Sequence, residues 1–217
     1  MIWIEMNGFA MKIIYIMEWV KRIFSYGKRR LPYLWHKYQY AAVDVTTYIM
    51  SPIVITPRYL RCGKNVYVGA HARLEGVSKY NDICFTPLIV LEDGVSIQQN
   101  LHLTCANCII IGQNTAIAAN VTITDIHHPY DEISKPIEKQ NIKVGFVRIG
   151  ADCKIYNNAV ILPNVTLGRH VTIGANSVVN HDIPDYCVAV GNPVRIVKRY
   201  DFDKKEWRRT DLKGNFI

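Results

Sequence analysis

Aliphatic residues recur at every sixth position along the carboxy-terminal half of the chain. The run consists of Ile149, Ile155, Ile161, Leu167, Ile173 and Val179. An α-helix repeats its apolar face every 3.6 residues and a half-buried strand every two, so a period of six requires a longer structural unit. A parallel β-helix supplies that unit, because each hexad forms one strand and one turn, and three hexads close a triangular coil of about 18 residues. The pattern therefore predicts an all-β protein with these side chains inside a solenoid.

A second inward-facing set is predicted two positions before each repeat residue, because side chains alternate along a strand. Its members are small or aliphatic: Val147, Cys153, Ala159, Val165, Val171 and Ser177. Upstream, the same phase runs through Leu91, Ile97, Leu103 and Ile109, slips by two residues, and resumes at Ile111, Ile117 and Ile123. A two-residue insertion at a corner around Ala106 and Asn107 explains the slip. The pair Val68 and Leu74 is predicted to open the helix.

These boundaries divide the chain into three segments. We expect a helical or extended segment over residues 1–58, the β-helix over 59–190 with an excursion loop at 125–146, and a tail with a short helix over 191–217. The amino-terminal segment has apolar residues at near-helical spacing, followed by Lys28, Arg29 and Arg30. Charges interrupt it too often for a membrane span, so it predicts an amphipathic helix. Packing on the protein's own assembly is the favoured interpretation, and peripheral contact with an anionic membrane is the alternative.

Charge and cysteine content narrow the range of partners. The formal net charge is +8, but the basic residues gather near the two ends, and the repeat region lacks the basic, aromatic-interleaved stripe of a nucleic-acid binder. Of the six cysteines, only Cys105 and Cys108 have metal-like spacing, and no second pair completes a zinc site. We therefore expect no nucleic acid, no bound metal and a reduced, cytoplasmic protein.

The repeat is broken between Asp125 and Phe146, which we interpret as the only large excursion of the solenoid. The segment begins Asp125-Ile126-His127-His128-Pro129-Tyr130. Long loops in compact domains often cover a site, and histidine, with an unperturbed pKa near 6.5, suits proton transfer near neutral pH. His128, stiffened by the following proline, is the candidate general base.

Three features together resemble the hexapeptide-repeat acyltransferases, most closely the galactoside, maltose and xenobiotic acetyltransferase branch and the related capsule and lipopolysaccharide O-acetyltransferases. These are the hexads, the stretch 111–125 leading into His128-Pro129, and the ending 183–198 (IPDYCVAVGNPVRIVK). The resemblance covers roughly residues 63–200. It implies a left-handed parallel β-helix, and a homotrimer with active sites between subunits.

The resemblance also implies direct transfer of an acetyl group from acetyl-coenzyme A to an acceptor, with His128 as the base. Asn100 aligns with an acceptor-binding asparagine of the sugar acetyltransferases, although a corner residue in a turn explains it equally well. Asp125, His127 and Tyr130 are assigned to the acceptor side. For Asp125, capping a turn is an equally good interpretation.

The coenzyme A side is assigned to two neighbouring stretches. The small residues that would admit the pantetheine arm are Gly174, Ala175 and Asn176, and the turn above them is Gly191, Asn192 and Pro193. The candidate phosphate ligands are Arg195, Lys198 and Arg199, because guanidinium and ammonium groups suit phosphate oxygens. Two positions depart from the family pattern: Lys154 and Tyr156 replace a tryptophan and a glycine of the cofactor wall, and the residues around Ala106 lack the acidic character of the galactoside branch.

The sequence therefore favours an acetyl-CoA-dependent O-acetyltransferase that acts on a sugar hydroxyl, and we expect it to act in the assembly of a surface polysaccharide. An N-acyltransferase for a nucleotide-linked amino sugar is the alternative within the same chemistry. A zinc-dependent hydratase on the same fold would need two histidines five residues apart, and no such pair occurs. A non-enzymatic scaffold remains an alternative that leaves the His-His-Pro loop unexplained.

Overall fold

The structure, a computed structural model, describes residues 15–20, 37–211 and 214–217. The chain divides into an amino-terminal unit, Met1–Tyr38, and a larger unit, Gln39–Ile217. In the first unit, residues 15–20 are helical and exposed, and the remainder of the expected amphipathic helix, with Lys28, Arg29 and Arg30, lies outside the described residues. Within the described ranges, no helix is long and apolar enough to cross a membrane.

Three sheets, called A, B and C below, form the sides of the larger unit. Sheet A contains β1 (Ala42–Val43), β4 (Leu60–Cys62), β9 (Leu88–Leu91), β12 (Cys108–Ile111), β17 (Phe146–Ile149) and β20 (Val165–Leu167). Sheet B contains β2 (Tyr48–Ile49), β5 (Tyr67–Val68), β10 (Ser96–Ile97), β13 (Ala116–Ile117), β18 (Lys154–Ile155), β21 (Thr172–Ile173), β23 (Cys187–Val190), β24 (Arg195–Asp201) and β25 (Glu206–Arg209). Sheet C contains β3 (Val54–Ile55), β6 (Arg73–Gly76), β11 (His102–Cys105), β14 (Thr122–Thr124), β19 (Val160–Ile161) and β22 (Val178–Val179).

Additional short elements lie outside these sides. They are two antiparallel pairs, β7 (Lys79–Tyr80) with β8 (Ile83–Cys84) and β15 (Ile126–His127) with β16 (Lys143–Val144), and the 3-10 helices Lys37–Gln39, Pro57–Tyr59 and Ile137–Lys139. The chain passes from sheet A to B to C and back, and successive coils pair in parallel. The predicted parallel β-helix is therefore present.

The hexad residues form one continuous core along the axis. Ile155, Ile161 and Ile173 are fully buried, and Val147 pairs with Val165 in a coil of 18 residues. Ile109 pairs with Ile89 instead, a coil of 20, so the two-residue insertion predicted at residues 106 and 107 is present at the corner between β11 and β12. The glycines of the hexads are needed where coils approach closely: a Cβ on Gly150 would lie 2.5 Å from the carbonyl oxygen of Gly168.

The ends of the β-helix differ from the prediction in two respects. The first coil begins at Ala42 rather than residue 59, because β1, β2 and β3 pair in parallel with β4, β5 and β6. The predicted carboxy-terminal helix is wrong: residues 195–209 form the antiparallel strands β24 and β25, which extend sheet B. Pairing with β23 continues an existing sheet edge, so the segment completes backbone hydrogen bonds as strands.

The expectation of a single large excursion is also wrong. Leu60 pairs with Ile89, 29 positions later, because residues 77–87 leave sheet C and form the hairpin β7–β8 before sheet A resumes. This hairpin contains few aliphatic residues and no repeat of its own. Its importance is that it stands beside the predicted excursion loop.

An asparagine ladder lines the corner between sheets B and C. Asn100, Asn120, Asn158 and Asn176 all adopt left-handed backbone conformations, with φ of 61°, 61°, 61° and 57°. The side-chain amides of the first three each donate to the Oδ1 of the next, at 2.9 Å, 3.1 Å and 3.0 Å. Asparagine suits this corner because it tolerates positive φ and also bonds along the stack.

We expect Asn158→Ala to lower the free energy of unfolding by about 1–2 kcal/mol, because it breaks two ladder bonds and places a Cβ without compensation at positive φ. Asn158→Gly also removes the bonds but relaxes the backbone, so it should be less destabilising than the alanine variant. Urea titration of both variants measures the difference, and equal losses would mean that the backbone contributes nothing.

Candidate active site

A cleft of about 510 Å³ lies over the outer surface of sheet C. Its floor consists of the outward side chains of three adjacent strands, which alternate with the core residues Leu74, Leu103 and Ile123: Arg73 and Glu75 on β6, His102 and Thr104 on β11, and Thr122 and Thr124 on β14. Tyr80 of the first excursion and Ile126, His128 and Ile142 of the second complete its walls. The solenoid supplies a rigid polar floor, and the two excursions supply the walls.

The excursion loop is internally organised around Gln140. The pairing of β15 with β16 closes its base, with Ile126 opposite Val144. The buried amide of Gln140 donates to the carbonyl oxygens of Glu132 and Lys135, at 3.0 Å and 3.1 Å. His128 follows β15 directly and precedes the buried Pro129. These contacts fix the backbone on which the exposed imidazole of His128 is carried.

Asp125 anchors the start of this loop and does not face the cleft. It is fully buried, and its carboxylate accepts from the backbone N–H groups of Ala106, Asn107 and Cys108 at 2.8–2.9 Å. The Cys105 thiol also points to it, at 3.3 Å. Asp125 therefore caps the inserted corner, the interpretation that the sequence left open, and its assignment to the acceptor is wrong because every one of these contacts is internal.

Tyr80 links the two excursions through its hydroxyl. Its Oη lies 2.7 Å from Glu138 Oε2, 3.0 Å from the Glu138 backbone oxygen and 3.5 Å from His128 Nδ1. The two rings meet edge to face, with centroids 5.4 Å apart. The hydrogen bond to the Glu138 carboxylate raises the pKa of Tyr80 above its ordinary value. Asn81 adds a second link by donating to the Gln140 carbonyl oxygen at 3.3 Å.

The floor of the cleft combines charged and hydroxyl groups. Arg73 and Glu75 form an ion pair, with Arg73 Nε 2.7 Å from Glu75 Oε2. Partial burial and the Arg73 guanidinium lower the pKa of His102, against an opposing effect of Glu75. Thr104 donates to Thr124 across the strands at 3.0 Å. These groups offer hydrogen bonds to a polyhydroxylated ligand.

The remaining acceptor-side predictions lie outside the lining of this cleft. His127 and Tyr130 contact each other, with ring centroids 6.2 Å apart, and Tyr130 is 68% exposed. Asn100 belongs to the corner ladder, which is the turn role that the sequence left open. None of the three lines the cleft with His128.

The residues assigned to coenzyme A lie at the carboxy-terminal end of the β-helix, but only Pro193 and Arg195 line the same cavity. The Gly191 N–H donates to the buried Ser177 Oγ at 3.0 Å, which holds the turn Gly191-Asn192-Pro193 over the coil that carries Gly174, Ala175 and Asn176. Pro193 and Arg195 line a cavity of about 350 Å³ with His181. Lys198 and Arg199 lie farther along β24, and Arg199 donates to the Gly214 carbonyl oxygen at 3.3 Å.

Lys154 and Tyr156, the two departures from the family pattern in the cofactor wall, contact each other. Lys154 points outward from β18, with its Nζ 5.4 Å from the centroid of the Tyr156 ring, so the two replacements pack on each other.

Within the residues that the structure describes, no group of three or more His, Cys, Asp or Glu side chains is arranged to hold a metal ion. Burial raises the pKa of the Cys62 thiol to about 12, and this thiol is consequently inert near neutral pH.

Sequence reasoning missed Tyr80 and the floor residues of the cleft. A signal for the floor existed, because Arg73, His102 and Thr122 precede the inward residues Leu74, Leu103 and Ile123 by one position. A signal for the hairpin also existed in the excess spacing between Leu74 and Leu91. Neither signal shows which outward residues would face a cleft, since that depends on where the excursions fold.

The sequence is similar to a known protein family and to characterised members of its fold. The family model described as bacterial transferase hexapeptide (six repeats) matches residues 146–181. WbbJ of Escherichia coli K12, a proposed lipopolysaccharide biosynthesis O-acetyl transferase, is 30% identical over 164 residues, which span 72% of this chain and 83% of WbbJ. The chain belongs to the hexapeptide-repeat acetyltransferases.

The chain is also similar to two further proteins, one in sequence and one in fold. The galactoside O-acetyltransferase of Escherichia coli K12 is 34% identical over 123 residues, 55% of this chain and 59% of that enzyme. The structure of the N-acyltransferase AntD from Bacillus cereus, in complex with dTDP and 3-hydroxybutyryl-CoA, superposes with a TM-score of 0.53 at 20% identity, over 77% of this chain and 87% of AntD. The likeness to AntD is one of fold. This hexapeptide-repeat protein is an acyltransferase, so the resemblance is confirmed and the scaffold alternative loses its support.

Proposed function

We propose that this chain transfers an acetyl group from acetyl-CoA to a sugar hydroxyl, with His128 as the general base. The observation that carries the proposal is the polar cleft over sheet C, in which His128 stands above a floor of hydroxyl, imidazole and ion-pair groups. A sugar ring presents several hydroxyls that such groups can bind and orient. The relatives named as O-acetyltransferases support the same chemistry.

Sheet C connects the cleft to the region assigned to coenzyme A. The cleft ends at β14, and β19 and β22 follow in the sheet. With strands about 4.8 Å apart, β22 lies roughly 10 Å from β14. The outward residues between them, Val160 and Val178, are half-buried and apolar. They would accommodate a pantetheine arm that runs from the turn at Gly191 toward His128, while Arg195 offers a partner for phosphate.

In this mechanism, neutral His128 takes the proton of the acceptor hydroxyl as the acceptor oxygen attacks the acetyl carbonyl. The same imidazole then returns the proton to the departing thiolate, so that ester and free thiol are the products. Backbone N–H groups at the coil edge would stabilise the developing negative charge on the carbonyl oxygen. No covalent bond between enzyme and acetyl group is required.

We also propose the finer features that the resemblance implies, a left-handed helix and a homotrimer. The outer surface of sheet A supports self-association, because it includes the apolar residues Leu88, Val90 and Ile110, the last two between Arg61 and Arg148, and because Phe146 is 36% exposed. A neighbouring subunit could bring His127, Tyr130 or Asn100 to a shared site. Sedimentation equilibrium should give a mass of three chains, and a monomer would contradict this part of the proposal.

The direct experiment measures thiol release from acetyl-CoA in the presence of sugars, nucleotide sugars and amino-sugar nucleotides. We expect release that depends on a hydroxyl acceptor, and a product that mild alkali hydrolyses as an ester. An alkali-stable amide on an amino sugar would favour the N-acyltransferase alternative. Calorimetric titration with coenzyme A in the same samples separates a missing acceptor from a missing cofactor site.

The proposed setting is the cytoplasm, at the inner face of the membrane, in the assembly of a surface polysaccharide. The basic and amphipathic character of the amino-terminal segment supports it. Flotation of the full-length chain with vesicles of phosphatidylglycerol and phosphatidylethanolamine tests membrane contact, and an absence of binding would remove that part.

A further inference from the structure

The hydroxyl of Tyr80 stands between His128 and Glu138, two groups of the excursion loop. Tyr80 itself belongs to the other excursion, at the end of β7, and it is half-buried. Its oxygen lies 2.7 Å from the Glu138 carboxylate and 3.5 Å from His128 Nδ1. The arrangement therefore connects one nitrogen of the proposed base to a carboxylate through a single hydroxyl.

The distances around the Tyr80 hydroxyl favour one arrangement of the protons. A phenol has one proton, and an ionised carboxylate and a backbone carbonyl can only accept. Both acceptors of Glu138 lie within 3.0 Å of Tyr80 Oη, whereas His128 Nδ1 is farther away, so Tyr80 donates to Glu138. Only the lone pairs of the hydroxyl remain for the imidazole, so a hydrogen bond between Tyr80 and His128 requires the hydrogen to be on Nδ1.

The consequence for His128 follows from its chemistry. A neutral imidazole has one N–H, so a proton on Nδ1 leaves Nε2 with a free lone pair. We propose that Tyr80, oriented by Glu138, is a positioning residue that selects the Nδ1–H tautomer of His128 and keeps Nε2 free to accept the proton of the substrate. The catalytic consequence rests on the proposed function, whereas the tautomer itself does not.

This inference also explains why the solenoid carries two excursions side by side. The hairpin β7–β8 contributes Tyr80 and Asn81, and the second loop contributes His128, Glu138 and Gln140. Neither excursion alone can hold the imidazole in one tautomer. The 3.5 Å contact is long, as hydrogen bonds of acid–base groups often are before substrate binds.

The test is Tyr80→Phe, which removes the hydroxyl and keeps the ring that meets His128 edge to face. In protein labelled with ¹⁵N-histidine, at a pH above the imidazole titration, we expect the wild type to show a protonated Nδ1 and an unprotonated Nε2 for His128. The variant should shift toward the Nε2–H tautomer. The His128 signals are assigned by their loss in His128→Asn.

Kinetics provide the second readout. Since the productive tautomer would remain a minor population in Tyr80→Phe, we expect kcat to fall about tenfold with the KM for acetyl-CoA unchanged. Tyr67→Phe, which removes the same atom from the outer face of β5 on sheet B, is the matched control and should leave both the tautomer and kcat as in the wild type.

The outcomes separate the two proposals. An unchanged Nδ1–H tautomer in Tyr80→Phe overturns the role of Tyr80, whatever the activity. A tautomer shift in a protein that transfers no acetyl group to any acceptor supports the role of Tyr80 and counts against the proposed function. A shift accompanied by the fall in kcat supports both.

Discussion

His128→Ala is expected to reduce acetyl transfer by about 10²- to 10⁴-fold, the usual contribution of a positioned general base. The imidazole is exposed and lines the cleft, so its removal leaves the core of the β-helix intact. The loss should therefore appear in kcat, and coenzyme A should bind as to the wild type. Thiol release and calorimetric titration on the same preparations measure the two quantities.

The matched control for this variant is His71→Asn. His71 is an exposed corner residue with φ of 60°, outside the lining of the cleft, and asparagine tolerates the same backbone conformation. It should retain full activity. Wild-type activity in His128→Ala would exclude this residue as the base and leave His102, on the floor of the cleft, as the candidate to test next.

Asp125→Ala is expected to lower the free energy of unfolding by roughly 3–5 kcal/mol, because a buried carboxylate that satisfies several donors is replaced by a void. Three backbone N–H groups, of Ala106, Asn107 and Cys108, lose their acceptor together. Asp125→Asn should lie between this variant and the wild type, since an amide retains one oxygen acceptor. Urea unfolding at a fixed protein concentration gives the comparison.

Asp131→Ala is the control for the loss of a carboxylate at the surface of the same loop. Asp131 pairs with Lys143 at 3.0 Å, but the two side chains are 68% and 67% exposed, so we expect a change below about 1 kcal/mol. If Asp125→Ala were no more destabilising than Asp131→Ala, the inserted corner would not depend on the carboxylate.

The part of the fold that could be predicted is the regular solenoid, in which each repeat residue only fills the core. Ile149, Ile155 and Ile161 fill the core from the three sides of one coil, and equivalent residues do so in the neighbouring coils, so their spacing alone defines the solenoid and its phase. The insertion at Ala106 and Asn107 was predictable for the same reason, because a slip of two residues changes the phase of every hexad that follows.

The remainder depends on contacts between segments that are distant in the sequence. Asp125 belongs to a histidine-rich segment, yet its carboxylate binds the corner of the preceding coil, 17–19 positions away. Tyr80 and His128 meet across 48 positions, in two insertions without repeat patterns. Residues 195–209 mix apolar and basic residues without a clear period, and the open edge of β23 determines that they form strands.

The most direct test of the proposed site is an experimental structure of the protein with coenzyme A and a sugar acceptor identified by the thiol-release panel. We expect the thiol of coenzyme A and an acceptor hydroxyl within hydrogen-bonding reach of His128 Nε2, above Thr104 and Thr124, with the adenine end near the turn Gly191-Asn192-Pro193. A thiol bound at another surface, with the cleft over sheet C empty of both ligands, would contradict the proposed site.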